Sequence, residues 1–184
     1  MENHLQRVDD LIEHKFLPAL FGHNITTLER ELYTLPIKLG GLGISKLSEK
    51  CVMDYEASKL ITAPLASIIV MQGSNPPCGN AVKDLKSKVK AKKEKYTSEK
   101  AKVIESKLSD KDLRSLEQLK EKGASSWLSA MPLAEHELTL NKSDFRDALA
   151  IRYRKKMKGL PEKCACGQNF DVNHAMNCKK KVVL

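Results

Sequence analysis

The sequence CACGQNFDVNHAMNC, residues 164–178, constrains the fold of this chain more than any other stretch. Gly167 follows the first two cysteines and allows a tight turn around them. A short helix over about 172–179 would place the histidine and the last cysteine, four residues apart, on one face. Three thiolates and one imidazole are the donor set of a closed, tetrahedral structural zinc site with no open position for catalysis. The sequence therefore predicts a zinc ion bound by Cys164, Cys166, His174 and Cys178.

The spacing of the first two cysteines leaves an alternative open. Only one residue separates Cys164 from Cys166, which is tighter than the usual spacing of ligand pairs in zinc sites. The alternative is a group of unliganded, redox-inert cysteines beside an ordinary helix. A disulfide framework is disfavoured, because the five cysteines are odd in number and clustered at one end. The N-terminal stretch also lacks the apolar core of a signal peptide, so we expect a nuclear or cytoplasmic protein.

Basic residues flank the proposed metal site on both sides. The preceding helix is expected to start with Ser143 as its N-cap, to place Phe145, Leu149 and Tyr153 on one side, and to end at Gly159. Positively charged side chains interact favourably with the C-terminal end of the helix dipole. The helix itself therefore explains part of this cluster of basic residues. The candidate nucleic-acid-binding residues are Arg152, Arg154, Lys155, Lys156, Lys158, Lys179, Lys180 and Lys181.

The rest of the chain predicts an all-α fold in three parts. Residues 1–75 are expected to form a short helical bundle, with Thr26 and Glu29 as a capping box, a kink or helix end at Pro18, and a fresh helix start at Pro64. Residues 76–122 follow a Pro-Pro break and are expected to form an exposed, basic helical linker. Residues 123–184 hold the basic helix and the small zinc-stabilised unit.

Composition excludes several classes of protein. The 184 residues carry 32 Lys and Arg against 23 Asp and Glu, a formal charge of +9. A hydrophobic fraction of 41% with 30% charged residues is too apolar for full disorder and too charged for a membrane protein. The pair Asp9-Asp10 is interpreted as exposed helix residues, because no third carboxylate is placed by motif. The run Gly40-Gly41-Leu42-Gly43 lacks the Lys-Ser/Thr of a nucleotide-binding loop.

Several of these segments, in collinear order, resemble the region that follows the polymerase palm in reverse transcriptases of non-LTR retrotransposons. The resemblance covers nearly the whole chain. It is carried by HKFLPALFG at 14–22, EREL at 29–32, LPIKLGGLGI at 35–44, YEAS at 55–58, ITAPL at 61–65, GASSWL at 123–128, FRDAL at 145–149 with Arg152 and Tyr153, and CACG at 164–167 with His174, Ala175 and Cys178.

The resemblance implies thumb-region helices, a linker and the zinc knuckle that lies between polymerase and endonuclease. The fingers, the palm with its Asp-Asp motif and the nuclease have no counterpart here. We therefore expect a fragment or a degenerate or domesticated copy that binds RNA or DNA without sequence preference, and without catalysis, a membrane or a small-molecule substrate. The positive charge independently favours salt-sensitive binding to nucleic acid. The alternatives are a structural or protein-interaction module whose zinc only holds the fold, and an inert relic.

Overall fold

The computed structural model describes residues 2–75, 77–136, 138–157 and 159–178. Every regular element among them is helical, and the one β-type pairing is an isolated antiparallel bridge between Lys163 and Asn169. The predicted all-α fold is confirmed. Its α-helices are α1 (Glu2–Leu11), α2 (Leu17–Phe21), α3 (Thr27–Thr34), α4 (Leu47–Val70), α5 (Gly79–Glu105), α6 (Asp110–Lys120), α7 (Lys142–Arg152) and α8 (Val172–Asn177).

The first helices form one continuous helical rod. A π-helical turn over Ile12–Phe16 joins α1 to α2, so the chain changes its helical spacing just before Pro18. The helical chain continues through Pro18 to Phe21, so it does not end at this proline, whose missing N–H removes one hydrogen bond from the rod. The rod ends at Gly22, whose φ of 76° is the left-handed conformation that glycine adopts without steric cost.

The core of the molecule joins this rod to α3 and α7. Leu17, Phe21, Tyr33 and Leu149 form one buried cluster, in which the rings of Phe21 and Tyr33 stack 4.6 Å apart. The predicted capping box of α3 is confirmed by reciprocal hydrogen bonds between Thr26 and Glu29. Residues more than a hundred positions apart therefore share one core, and α7 is fixed to the N-terminal helices.

Helix α4 runs through Pro64 without a break, so the predicted fresh start at this residue is wrong. The helix begins at Leu47, and no residue along its length is buried. Pro64 removes one helical hydrogen bond, but water can reach the carbonyl left without a partner because the helix is so exposed. Helix α5 then packs back along α4, and Lys93 donates to Asp54 over 2.7 Å.

The basic segment after residue 76 is fixed to the N-terminal bundle at one end. Ala101 and Ile104 of α5 are buried with Leu35 in a second core cluster. Lys100 pairs with Glu31 and Glu49 at 3.1 and 3.0 Å. Most other lysines of α5 are exposed, as a charged helical surface requires. The predicted boundaries at 75/76 and 122/123 stay predictions.

Helix α7 differs from its prediction at both ends. Asn141, not Ser143, is the N-cap, and its side chain accepts hydrogen bonds from the backbone of Ser143 and Asp144 at 2.9 and 3.0 Å. The helix ends at Arg152 instead of continuing to Gly159. The amide of Lys155 donates to the carbonyl of Ala150 at 2.8 Å, the long closing bond of a Schellman motif.

Candidate metal centre

A tight turn positions the first two cysteines. The amide of Gly167 donates to the carbonyl of Cys164 at 2.8 Å, and Gly167 has a φ of 88° that other residues adopt only under strain. The Cys164 amide donates to the carbonyl of Gln168 at 2.8 Å. These bonds close the loop, so the backbone itself brings the two thiols to one side of a small knuckle.

The short helix α8 supplies the other two donors. Asp171 is its N-cap, and the Asp171 carboxylate accepts a hydrogen bond from the amide of His174 at 2.6 Å. The helix ends at Asn177, two residues earlier than expected, and Cys178 is its C-cap. His174 and Cys178 still lie one helical turn apart, so both reach the knuckle.

The ligand atoms of Cys164, Cys166, His174 and Cys178 all lie within 4.8 Å of one another. The sulfurs of Cys164 and Cys178 are 3.7 Å apart, and the sulfur of Cys166 is 3.2 Å from His174 Nε2. No disulfide joins these cysteines. The predicted convergence of these four residues is confirmed, and the cluster could hold one metal ion.

The surroundings of the cluster favour the thiolate, which is the form that binds metals. The backbone amide of Cys166, followed by the His174 side chain, holds the pKa of the Cys164 thiol at about 6. The ring of Phe170 stands edge-on to His174 with ring centres 6.3 Å apart, and covers the imidazole on that side.

Arg152 has a structural role and not the solvent-facing position predicted for it. The residue is 6% exposed, and its guanidinium donates to Ser125 Oγ at 2.8 Å and lies over the ring of Tyr153. The interpretation of Arg152 as a phosphate contact is therefore corrected, because its guanidinium is buried and already donates hydrogen bonds to Ser125 and to the carbonyl of Gly41. Spacing could have revealed this role, since Arg152 follows the buried Leu149 by three residues and so lies on the same helix face.

The other basic candidates differ in their exposure and in the groups to which they are bound. Lys155 forms an ion pair with Glu29 and is partly buried. Arg154 donates to Gln118 Oε1 at 2.7 Å yet remains exposed. Lys156 is highly exposed and lies 3.7 Å from the equally exposed Glu162, two residues before Cys164. Lys158 and Lys179, Lys180 and Lys181 lie outside the described residues.

Sequence reasoning missed one exposed cation at the metal cluster. Lys163 directly precedes Cys164, and its backbone forms the bridge with Asn169 that closes the knuckle. Its side chain is exposed. Its position directly before the first cysteine could have identified it, although it belongs to neither of the two basic runs that flank the metal site.

Asp9 is buried, whereas the sequence predicts an exposed helix residue at this position. It is 4% exposed, and its carboxylate accepts hydrogen bonds from the amides of Leu47 and Ser48 at 2.7 and 2.9 Å. The side chain therefore caps the N-terminus of α4 from another helix. Asp10 is exposed, as expected.

Among the described residues, no helix is both long and apolar enough to cross a membrane. Comparison of the chain with protein-family models, with curated proteins and with solved structures finds no match.

Proposed function

We propose that the Cys164, Cys166, His174 and Cys178 cluster binds zinc as a structural metal. The donor set of three sulfurs and one imidazole nitrogen is typical of zinc. Ligands at zinc bond lengths of about 2.0–2.3 Å in a tetrahedron lie roughly 3.3–3.8 Å apart. The separation of 3.7 Å between the Cys164 and Cys178 sulfurs agrees with that geometry. Four protein ligands leave no coordination position for a reacting water, so the ion would hold the knuckle together.

We propose further that the metal unit and the turn after α7 form a nucleic-acid-binding surface. The observation that carries this proposal is the placement of exposed cations beside the cluster. Lys156 lies against Glu162, and Lys163 directly precedes the first cysteine. Together with Arg154 they present positive charge on one short segment of a chain whose formal charge is +9. Lysine and arginine contacts to phosphates bind largely without regard to sequence.

We also propose that the chain derives from a retroelement and that it catalyses no reaction. The collinear resemblance supports the derivation of these 184 residues from the region that follows the polymerase palm in the reverse transcriptase of a retroelement. The carboxylate of Asp9 is occupied by the backbone of α4, so the Asp9-Asp10 pair is a poor candidate for a two-metal centre. Primer extension with Mg²⁺ or Mn²⁺ should therefore stay at background. Extension that disappears in Asp10→Asn would contradict this part of the proposal.

Salt dependence tests the binding surface. The site variant combines Arg154→Asn, Lys156→Ala and Lys163→Ala, with asparagine chosen because Arg154 has a positive φ of 50°. Each lost phosphate contact should lower the slope of log affinity against log salt by about 0.7–0.9. The slope for the full-length variant should thus fall by about 2.1 on single-stranded RNA and by about 2.7 on duplex DNA, measured by fluorescence anisotropy.

A matched variant separates this surface from the lysines of α5. Lys88→Ala, Lys92→Ala and Lys95→Ala remove the same charge from exposed positions of that helix. We expect the matched variant to keep the original slope. If only the matched variant lowers the slope of log affinity against log salt, nucleic acid binds to α5 and not to the proposed surface. Affinity that is weak and insensitive to salt in the unchanged protein would overturn nucleic-acid binding altogether.

A further inference from the structure

A groove of about 590 Å³ lies between α5, the turn at 36–39 and the middle of α4. Its floor is apolar and contains Leu39, Ile61, Val89 and Ala101. The groove therefore offers an apolar floor to an occupant.

The rim of the groove is basic. Lys86, Lys90 and Lys93 recur at the four- and three-residue spacing of one helix face on α5, and Lys38 and Lys102 extend the row. Lys93 is paired with Asp54. The remaining four lysines form no ion pair with any described residue.

The acidic residues of the groove do not balance this charge. Glu105 is bound to Lys120 at 2.7 Å, which leaves Glu94 as the one unpaired acid among the described residues that line the groove. Four unpaired lysines face a single glutamate, so the rim carries a clear excess of positive charge.

We propose that this groove binds an acidic amphipathic helix of a partner protein. Such a helix would lay its apolar stripe on the floor at Leu39 and Ile61 and set its carboxylates against Lys86 and Lys90. The row from Lys86 to Lys102 covers about 24 Å of α5, which corresponds to a partner helix of roughly 16 residues. The complementary charges would orient the partner and raise its association rate.

The composition of the groove favours this partner over the other candidates. Nucleic acid would use the lysines but not the apolar floor, and the described lining holds neither an aromatic ring for base stacking nor an arginine. A second copy of this chain would bring a formal charge of +9 to a basic rim. The proposal does not depend on nucleic-acid binding at the metal unit.

The test uses the full-length protein and a fluorescent peptide of about 16 residues, with leucine on one helical face and glutamate elsewhere. The control peptide has the same composition in an order that breaks the apolar face. We expect the amphipathic peptide to bind at least about tenfold more tightly than the control. Equal binding of the two peptides would show mere charge attraction and would overturn the proposal.

Paired variants locate the binding site. Lys86→Glu with Lys90→Glu should weaken the amphipathic peptide at least about tenfold, whereas Lys88→Glu with Lys92→Glu, the same charge change turned away from the groove, should leave affinity within about twofold. Ile61→Ser, at a groove-lining position on a helix with no buried residue, should weaken binding of the amphipathic peptide alone. Equal losses in both pairs would overturn the proposal. A second outcome would also overturn the proposal: RNA displaces the peptide, and only the variant with Lys86→Glu and Lys90→Glu binds RNA more weakly. The groove would then be a nucleic-acid-binding surface.

Discussion

At the scale of single residues, Asp9 shows how a charged side chain comes to be buried. The first amides of a helix have no helical acceptor, and α4 begins at Leu47 without a side-chain cap of its own. Asp9 supplies the missing acceptor, and Ser48 Oγ adds a third hydrogen bond at 2.6 Å. Burial raises the pKa of Asp9, but the hydrogen bonds from Ser48 and Leu47 outweigh it and leave that pKa below its ordinary value.

Asp9→Asn should therefore lower the free energy of unfolding by about 1–3 kcal/mol, because it replaces an ionised acceptor by an amide. Asp10→Asn is the matched control at an exposed position and should change it by less than about 0.5 kcal/mol. Since the folded pKa of Asp9 is depressed, its contribution is present above pH 3.8 and is lost as the pH falls through the folded pKa. Urea denaturation at neutral and acidic pH checks both points. A variant that loses as much stability on acidification as the unchanged protein would contradict the assignment.

The metal ligands give a second prediction at this scale. Purified protein should contain about one equivalent of zinc, and Cys166→Ser should lose it because one thiolate is replaced by a poor zinc ligand. Cys78→Ser removes a free, exposed cysteine and should keep the metal. Metal analysis of the three proteins by mass spectrometry gives the answer. Zinc retained at one equivalent in both variants would show that the cluster is not the binding site.

At the scale of elements, the loop after α3 depends on a glycine that no side chain can replace. A Cβ at Gly41 would lie 2.0 Å from the carbonyl oxygen of Leu35 and 2.7 Å from that of Leu32. Both atoms belong to the backbone, so no side-chain rotation can relieve the clash. The same loop holds Tyr33, because the amides of Leu42 and Ile44 donate to the Tyr33 carbonyl at 3.3 and 3.1 Å.

Gly41→Ala should therefore destabilise the protein by more than about 2 kcal/mol, since the loop must move away from a core tyrosine. Gly79→Ala is the control at the start of α5, where an added Cβ meets nothing within 4 Å. It should be neutral or stabilising by up to about 1 kcal/mol, because alanine reduces the freedom of the unfolded chain. Thermal melts followed by circular dichroism compare the two. Similar melting temperatures would mean that the loop adjusts at little cost.

Elements were predictable where the signal is local. The Thr26 and Glu29 capping box needs only residues three apart, and the four metal ligands follow from spacing and residue type. The prediction for Pro64 failed because α4 is exposed along its whole length, so water can serve the carbonyl that the proline leaves without a partner. The prediction for Arg152 failed because distant contacts decide its position, since it donates hydrogen bonds to Ser125 and Gly41. No periodicity within one segment encodes such pairings.

At the scale of the whole molecule, the core and the metal cluster are separate sources of stability. The two hydrophobic clusters of the described residues draw their members from positions up to Tyr153 and none beyond it. After that point Cys164 is the one buried residue described, and it is a metal ligand. The helical body therefore has its own apolar core, whereas the knuckle relies on short turns and on the ion it would hold.

Chelation of zinc should consequently unfold the knuckle and leave the body intact. Helix α8 contains 6 residues, against 24 in α4 alone, so a strong chelator should remove only on the order of 5–10% of the helical circular dichroism signal. The melting temperature of the body should shift by less than about 3 °C, because its core loses no contact. Trypsin should then cut first at Lys156 and Lys163, which flank the opened turn. Cys166→Ser without chelator should reproduce this pattern, and Cys78→Ser should resist it. Loss of most of the helical signal on chelation would instead make the metal a requirement for the entire fold.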